Sequence, residues 1–190
     1  MDKARYVTLA GYNRWANDQI YGAAAGLPDA DYRADRGAFF RSVHGTLNHI
    51  LVGDRIWLHR FTGEGELLAA LDAILFDDLA ALRSARIAED QRIVRWIDGL
   101  APAALDGTFR YVRAADGKRY EQQLGPALDH FFNHQTHHRG QVHALLTGLV
   151  GDAPSLDLHA YMRDFGLGGF RTLDQEPARQ PMKDAPPQRS

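Results

Sequence analysis

The sequence predicts an all-α fold, a four-helix bundle with a short β-hairpin between the third and fourth helices. Four long segments carry apolar residues at the three- and four-residue spacing of amphipathic helices. One of these segments, residues 128–143, also holds five of the nine histidines of the chain. A length of 190 residues suits a single domain, which we assign to residues 1–170. Residues 171–190, with four prolines and few apolar residues, are predicted to be a disordered tail.

The first two helices are predicted over about residues 6–26 and 42–61. Ser42 is a suitable N-cap for the second helix, because its hydroxyl can accept a hydrogen bond from a free backbone N–H. Apolar residues occupy two sides of this helix, so we expect it to be buried over much of its circumference. His44 and His49 lie on different sides of it, and periodicity alone does not decide which one points at a site.

The third helix is predicted from a cap at Asp77 or Asp78 to about residue 99. Its apolar stripe is interrupted by Arg86 and Glu89. The preferred interpretation is an exposed middle turn, and a buried polar network is the alternative.

A β-hairpin and the fourth helix follow. Residues 108–112 alternate like a strand, an Asp-Gly pair marks a turn, and residues 119–121 return. Pro126 suits the first turn of the fourth helix, which ends near residue 148 or 151. Residues 156–165 are predicted to form a short helical extension. The helix faces are consistent with an up-down-up-down order, although two connections are long enough to permit crossovers.

Composition excludes several functional classes. The net charge of −2 shows no basic surface suited to nucleic acid. The chain has no cysteine, which excludes disulfides, thiolate metal sites and a cysteine nucleophile. No stretch approaches the roughly 18 apolar residues of a membrane span. The start of the chain lacks an apolar signal core, so we expect a cytoplasmic protein that binds neither nucleic acid nor membrane.

Two histidines of the fourth helix are suited to a shared ligand. His138 lies inside the apolar sector of that helix, and His134 lies at its edge one turn earlier, while His137 projects nearly opposite. Imidazoles at positions i and i+4 can bind one metal ion. The alternative is a pair of packed histidines that are hydrogen-bonded at the edge of the core. A metal and a further acceptor would satisfy both ring nitrogens on an apolar face.

Three motifs resemble the DinB family of metalloenzymes, also called DinB/YfiT-like. They are residues 12–17, residues 44–50 followed by Asp54 and Trp57, and residues 133–141. The similarity runs in the right order from residue 1 to about residue 165. It implies a four-helix bundle with an unusual crossover connection, and often a homodimer.

The resemblance also implies a metal site of three histidines, which by position are His49, His134 and His138. His137 is then the histidine of the motif that does not bind the ion. Zinc or nickel is the metal usually found in such proteins.

A site of three histidines leaves positions open for water or substrate, as in catalytic rather than structural centres. Gln135 follows His134 where a zinc peptidase of the HExxH type would have a glutamate, so that activity is not expected. Asp54 is the candidate catalytic residue, acting as a base or as an acceptor for a ligand. A solvent-exposed helix charge is the alternative role for Asp54. Gln141 either orients a ligand or bridges helices.

Relatives that the family is similar to include bacillithiol S-transferases and mycothiol-dependent maleylpyruvate isomerase. The resemblance therefore implies a metal-dependent enzyme, a thiol S-transferase or a hydrolase, acting on an unknown small molecule. An exogenous low-molecular-weight thiol is the expected cosubstrate of the transferase. The alternative is a non-enzymatic, stress-related metal-binding protein or a structural dimeric module. Tyr12, Trp15 and Trp57 are interpreted as core residues rather than substrate contacts.

Overall fold

Six α-helices and one two-stranded antiparallel sheet are present in the computed structural model, which describes residues 2–66, 68, 70–113 and 116–171. The helices are α1 (Lys3–Ala24), α2 (Asp29–Arg33), α3 (Val43–Thr62), α4 (Leu79–Gly99), α5 (Leu124–Val150) and α6 (Leu158–Asp164). The sheet consists of β1 (Thr108–Val112) and β2 (Arg119–Gln123), and a 3₁₀ helix (Pro102–Asp106) precedes it. The mostly helical fold and the predicted hairpin are confirmed.

Side-chain caps define where the long helices begin. The Ser42 hydroxyl accepts a hydrogen bond from the backbone N–H of Gly45 at 3.0 Å, so the predicted cap of α3 is confirmed. Asp78, rather than Asp77, caps α4 by accepting from the N–H of Ala81. Gly63 and other glycines end helices in the left-handed conformation, which glycine adopts without a steric penalty.

The directions of the helices follow from their contacts. α1 and α3 each pack against both α4 and α5. Asp54 of α3 pairs with Arg86 of α4. Further towards the C-terminus of both helices, Phe61 of α3 stacks on Trp96 of α4. The two helices therefore run parallel. An up-down-up-down order is therefore wrong for these helices. Gly63, which follows α3, and Asp78, which precedes α4, therefore lie at opposite ends of this helix pair.

Between the four long helices, two apolar layers enclose a polar layer, and a smaller apolar cluster of Val52, Ile56 and Leu68 lies apart from them. One apolar layer contains Ile20, Leu47, Leu51, Leu82, Val142 and Leu146. The other contains Tyr6, Leu58, Ile93, Ile97, Leu128 and Phe131. On each of the four long helices the intervening positions hold buried polar residues, namely Asn13, Asn17, Asp54, Arg86, Asp90, Gln135 and Arg139. We call these seven residues the polar layer.

Arg86 lies at the centre of the polar layer. Its Nη1 atom is 2.5 Å from Oδ2 of Asp54, and its Nη2 atom is 3.0 Å from Oδ1 of Asp90. Arg86 is 1% exposed and Glu89 is 6% exposed, so the predicted exposed turn is wrong and the buried network is correct. The periodicity of α4 alone could not show this, because part of the charge of Arg86 is compensated by Asp54 on α3.

The remaining polar-layer contacts tie α1 and α5 to α4. The amide nitrogens of Asn13 and Asn17 donate to Oδ1 of Asp90 at 3.2 and 2.9 Å. Arg139 of α5 donates to the amide oxygens of both asparagines. Each of the four long helices thus contributes a polar side chain to one buried region.

The described part of the chain contains no helix with the length and apolarity needed to cross a membrane. The described residues divide into two units between Leu156 and Asp157, and α6 belongs to the second. The predicted domain boundary at residue 170 stays a prediction. Apart from Arg171, the predicted tail over residues 171–190 lies outside the described residues.

Candidate metal centre

Three histidines from two helices converge on one point. His49 comes from α3, and His134 and His138 come from successive turns of α5. Their Nε2 atoms are 3.2 Å apart between His49 and His138, and 3.1 Å apart between His138 and His134. Nitrogen ligands of a tetrahedral ion with bonds of about 2.0–2.1 Å lie roughly 3.3 Å apart. The spacing therefore fits one metal ion, and the three side chains could hold it.

Hydrogen bonds on the outer ring nitrogens determine which nitrogens carry the protons. Nδ1 of His49 lies 2.7 Å from the carbonyl oxygen of Leu71, which can only accept, so Nδ1 is protonated. Nδ1 of His138 lies 2.8 Å from Oε1 of Gln141. The amide nitrogen of Gln141 faces Nε2 of His137 at 3.3 Å, and this contact directs the amide oxygen towards His138. Gln141 thus orients a candidate ligand.

The inner nitrogens of His49 and His138 are consequently both lone-pair acceptors. Burial lowers the pKa of His49 to about 4, and burial together with the neighbouring histidines lowers the pKa of His134 to about 3. These imidazoles are therefore neutral near pH 7. Two lone pairs facing each other at 3.2 Å repel unless a cation lies between them. The donor set fits a divalent metal.

The DinB family model matches residues 1–164, which include all three histidines. The chain belongs to the DinB family. It is also similar to "Protein DinB" of Bacillus subtilis (strain 168), with 26% identity over 184 residues. That alignment covers 88% of this chain and 95% of the relative.

Phe40 covers one side of the centre in this DinB-family chain. Its ring stacks on His49 with the centroids 3.7 Å apart and the planes 16° apart. The turn that presents Phe40 is closed by an Ala38–Arg41 bridge, with Arg41 in the left-handed region at φ 68°. A non-glycine residue in that region is uncommon, so the turn is held at some conformational cost. The sequence offered no periodic signal for this contact.

Gly53 makes room for His134. A Cβ atom at Gly53 would lie 3.1 Å from Cε1 of the His134 ring, closer than ordinary van der Waals contact. His134 is partly exposed, whereas His49 and His138 are buried. The centre is therefore open to solvent on the side of His134.

The other candidate residues lie outside the cluster. Nε2 of His44 lies 3.1 Å from the carbonyl oxygen of Phe76, so His49 is the histidine of α3 that points at the site. Asp54 is fully buried, which rules out the solvent-exposed role considered for it. Burial raises the pKa of Asp54 to about 7, although the Arg86 guanidinium opposes that shift. No described hydrogen bond or ion pair joins Asp54 to the three histidines, and its catalytic role stays a prediction.

Proposed function

We propose that this DinB-family chain is a metal-dependent enzyme whose divalent ion, zinc or nickel, is bound by His49, His134 and His138. The observation that carries the proposal is the convergence of the three Nε2 atoms, with neighbours 3.1–3.2 Å apart. The carbonyl of Leu71 and the amide of Gln141 hold two of the rings in the required tautomer. Histidines that bind a metal through one ring nitrogen typically donate a hydrogen bond from the other nitrogen to an acceptor of this kind.

The reaction that we favour is attack of a thiol sulfur on an electrophilic carbon of a small molecule. A C–S bond forms, the thiol loses its proton, and the bond from that carbon to a leaving group breaks. A divalent ion in this centre would supply Lewis-acid chemistry and lower the pKa of a bound thiol or water. Three protein ligands leave a position for that group, on the open side at His134. The cluster of candidate ligands in the described residues contains histidines and no carboxylate. Coordination acidifies a bound thiol and a bound water alike without such a carboxylate, and the resemblance to thiol-dependent enzymes favours the S-transferase over the hydrolase.

The rest of the proposal is supported by the family. It comprises a four-helix bundle with a crossover connection, an exogenous low-molecular-weight thiol as cosubstrate, a homodimer and a cytoplasmic location. The parallel course of α3 and α4 supports the crossover. A non-enzymatic metal-binding or structural dimeric module is the competing outcome of the tests below.

Elemental analysis of the purified protein tests the metal centre. We expect about one ion per chain, and loss of that ion in His49→Ala, His134→Ala and His138→Ala. His44→Ala and His137→Ala are matched controls on the same two helices and should keep the ion. Equal metal content in all six proteins would contradict the assignment.

Cobalt substitution then tests the reaction class. Addition of a low-molecular-weight thiol should produce a sulfur-to-cobalt absorption band, which is absent in the metal-free variants. A cobalt-loaded protein that shows no band with any cellular thiol would contradict the S-transferase. A stable metal that no small molecule perturbs would favour the non-enzymatic module.

A further inference from the structure

Pairs of facing residues on α3 and α5 form a row that leads away from the candidate metal centre. His49 faces His138, Gly53 faces His134, and one turn further Trp57 lies 5.0 Å from the ring of His130. The facing positions advance by four residues on α3 while they go back by four on α5, so the two helices are antiparallel. At the second position Gly53 has no side chain, and the ring of His134 occupies that space. We call this row of facing residues the α3–α5 face.

Arg60 lies beyond Trp57, at the end of the α3–α5 face that is farthest from the three histidines. The Cζ atom of its guanidinium is 4.6 Å from the ring centroid of Trp57 and 4.6 Å from that of Tyr111 on β1. Contacts of this kind orient a guanidinium by cation–π attraction while they leave its edge donors free. Trp57 and Tyr111 are themselves in contact, with ring centroids 6.0 Å apart, so the cation lies against a pair of packed rings.

The charge of Arg60 is not compensated within the described residues. Two arginines of the neighbouring hairpin are paired, Arg110 with Glu121 and Arg113 with Asp116. No ion pair or hydrogen bond to a described residue is found for Arg60. Burial lowers the pKa of Arg60, because its charge has lost part of its water without gaining a carboxylate. A bound anion would offset that cost.

We propose that Arg60 binds a carboxylate of the substrate whose reacting atom lies at His49, His134 and His138. This inference rests on the proposed function and adds a substrate class to it. Gly53 and Arg60 are seven residues apart on α3, which corresponds to about 10 Å along the axis. The substrate is therefore an elongated acid with its carboxylate roughly 10 Å from the reacting atom. One uncompensated cation matches the single charge of a carboxylate better than a doubly charged phosphate.

Two probes that differ in one charge test the inference. The monohydroxamate of suberic acid carries a metal-binding group and a carboxylate about 10 Å apart, and its methyl ester is neutral. The zinc-loaded wild-type protein should bind the acid about tenfold tighter than the ester, as one charge-assisted hydrogen bond would give. In Arg60→Gln the two probes should bind equally, with ester affinity and zinc content unchanged. Arg95→Gln, which removes an exposed arginine of α4, should behave as wild type.

Probe length provides a second test that needs no variant. The shorter monohydroxamate of succinic acid cannot reach from the metal ion to Arg60, so its acid and ester should bind equally to the wild-type protein. Arg60→Lys, which retains the charge, should keep part of the preference for the long acid.

The outcomes separate the two proposals. Equal binding of long acid and long ester to wild type, or an undiminished preference in Arg60→Gln, overturns the role of Arg60 and leaves the metal centre intact. Failure of both long probes to bind a protein that carries zinc overturns both proposals. If Arg60→Gln does not fold, the wild-type comparison of long and short probes still decides the matter.

Discussion

Arg86→Met is the substitution for which the structure predicts the largest loss of stability. The change keeps most of the volume of the side chain and removes its charge. It leaves Asp54 and Asp90 facing each other without the guanidinium that now lies 2.5 and 3.0 Å from them. All three side chains are buried, so water cannot replace the lost partner.

The magnitude follows from the cost of an uncompensated buried charge. Removal of one partner of a buried ion pair typically costs about 3–5 kcal/mol. The free energy of unfolding of a domain is about 5–15 kcal/mol, so this loss is a large fraction of it. For a domain of this size about 1 kcal/mol shifts the melting temperature by roughly 2–4 °C, and we expect a decrease of about 6–20 °C.

Urea unfolding followed by circular dichroism measures this loss. Arg83→Met is the matched control, because Arg83 lies one turn earlier on α4 and pairs with Asp18 at 2.9 Å on the exposed surface. That substitution should cost less than about 1 kcal/mol. The triple variant that combines Arg86→Met with Asp54→Asn and Asp90→Asn should recover much of the stability lost in Arg86→Met alone. Equal losses in Arg86→Met and Arg83→Met, or no recovery in the triple variant, would refute the reasoning.

Two further predictions concern the histidines. Gly53→Ala should displace His134 and weaken zinc affinity about tenfold in a chelator titration. Gly140→Ala is the control and should leave the affinity unchanged, because no atom lies near its added Cβ. Equal affinities of the two variants would contradict the close packing of His134 on Gly53. In the metal-free protein, unfolded imidazoles titrate near pH 6.5 while the pKa of folded His49 is about 4. This lowered pKa stabilises the fold above pH 6.5, and the contribution should decline by about 2 kcal/mol by pH 5 in urea titrations. His49→Gln should make that decline shallower by this amount, while the part due to His134, whose pKa is lowered to about 3, remains. An unchanged pH profile would show that His49 does not contribute to it.

The sequence predicted those features that depend on neighbouring residues along the chain. The helices and the hairpin follow from local periodicity, turn residues and caps such as Ser42. The pairing of His134 with His138 follows from the i, i+4 spacing. His49 is different, because both it and His44 are buried on α3. Only the family resemblance preferred His49, which is the histidine that lies in the cluster with His134 and His138.

Features that depend on several distant segments could not be predicted. Arg86 interrupts an apolar stripe on α4, and only its contact with Asp54 on α3 shows why it is buried. The acceptor behind His49 is a backbone carbonyl of Leu71, which no side-chain pattern can reveal. Phe40 reaches His49 from an irregular turn for the same reason.

The polar layer has a consequence for the metal centre. On α5, Gln135 and Arg139 directly follow His134 and His138 in the sequence. A slip of α5 by one helical turn, about 5.4 Å, would carry Arg139 into an apolar layer and leave its charge without the oxygens of Asn13 and Asn17. The same slip would separate the ligand nitrogens beyond the reach of one ion. The buried charges therefore fix the axial position of α5, and with it the positions of the candidate ligand nitrogens of His134 and His138.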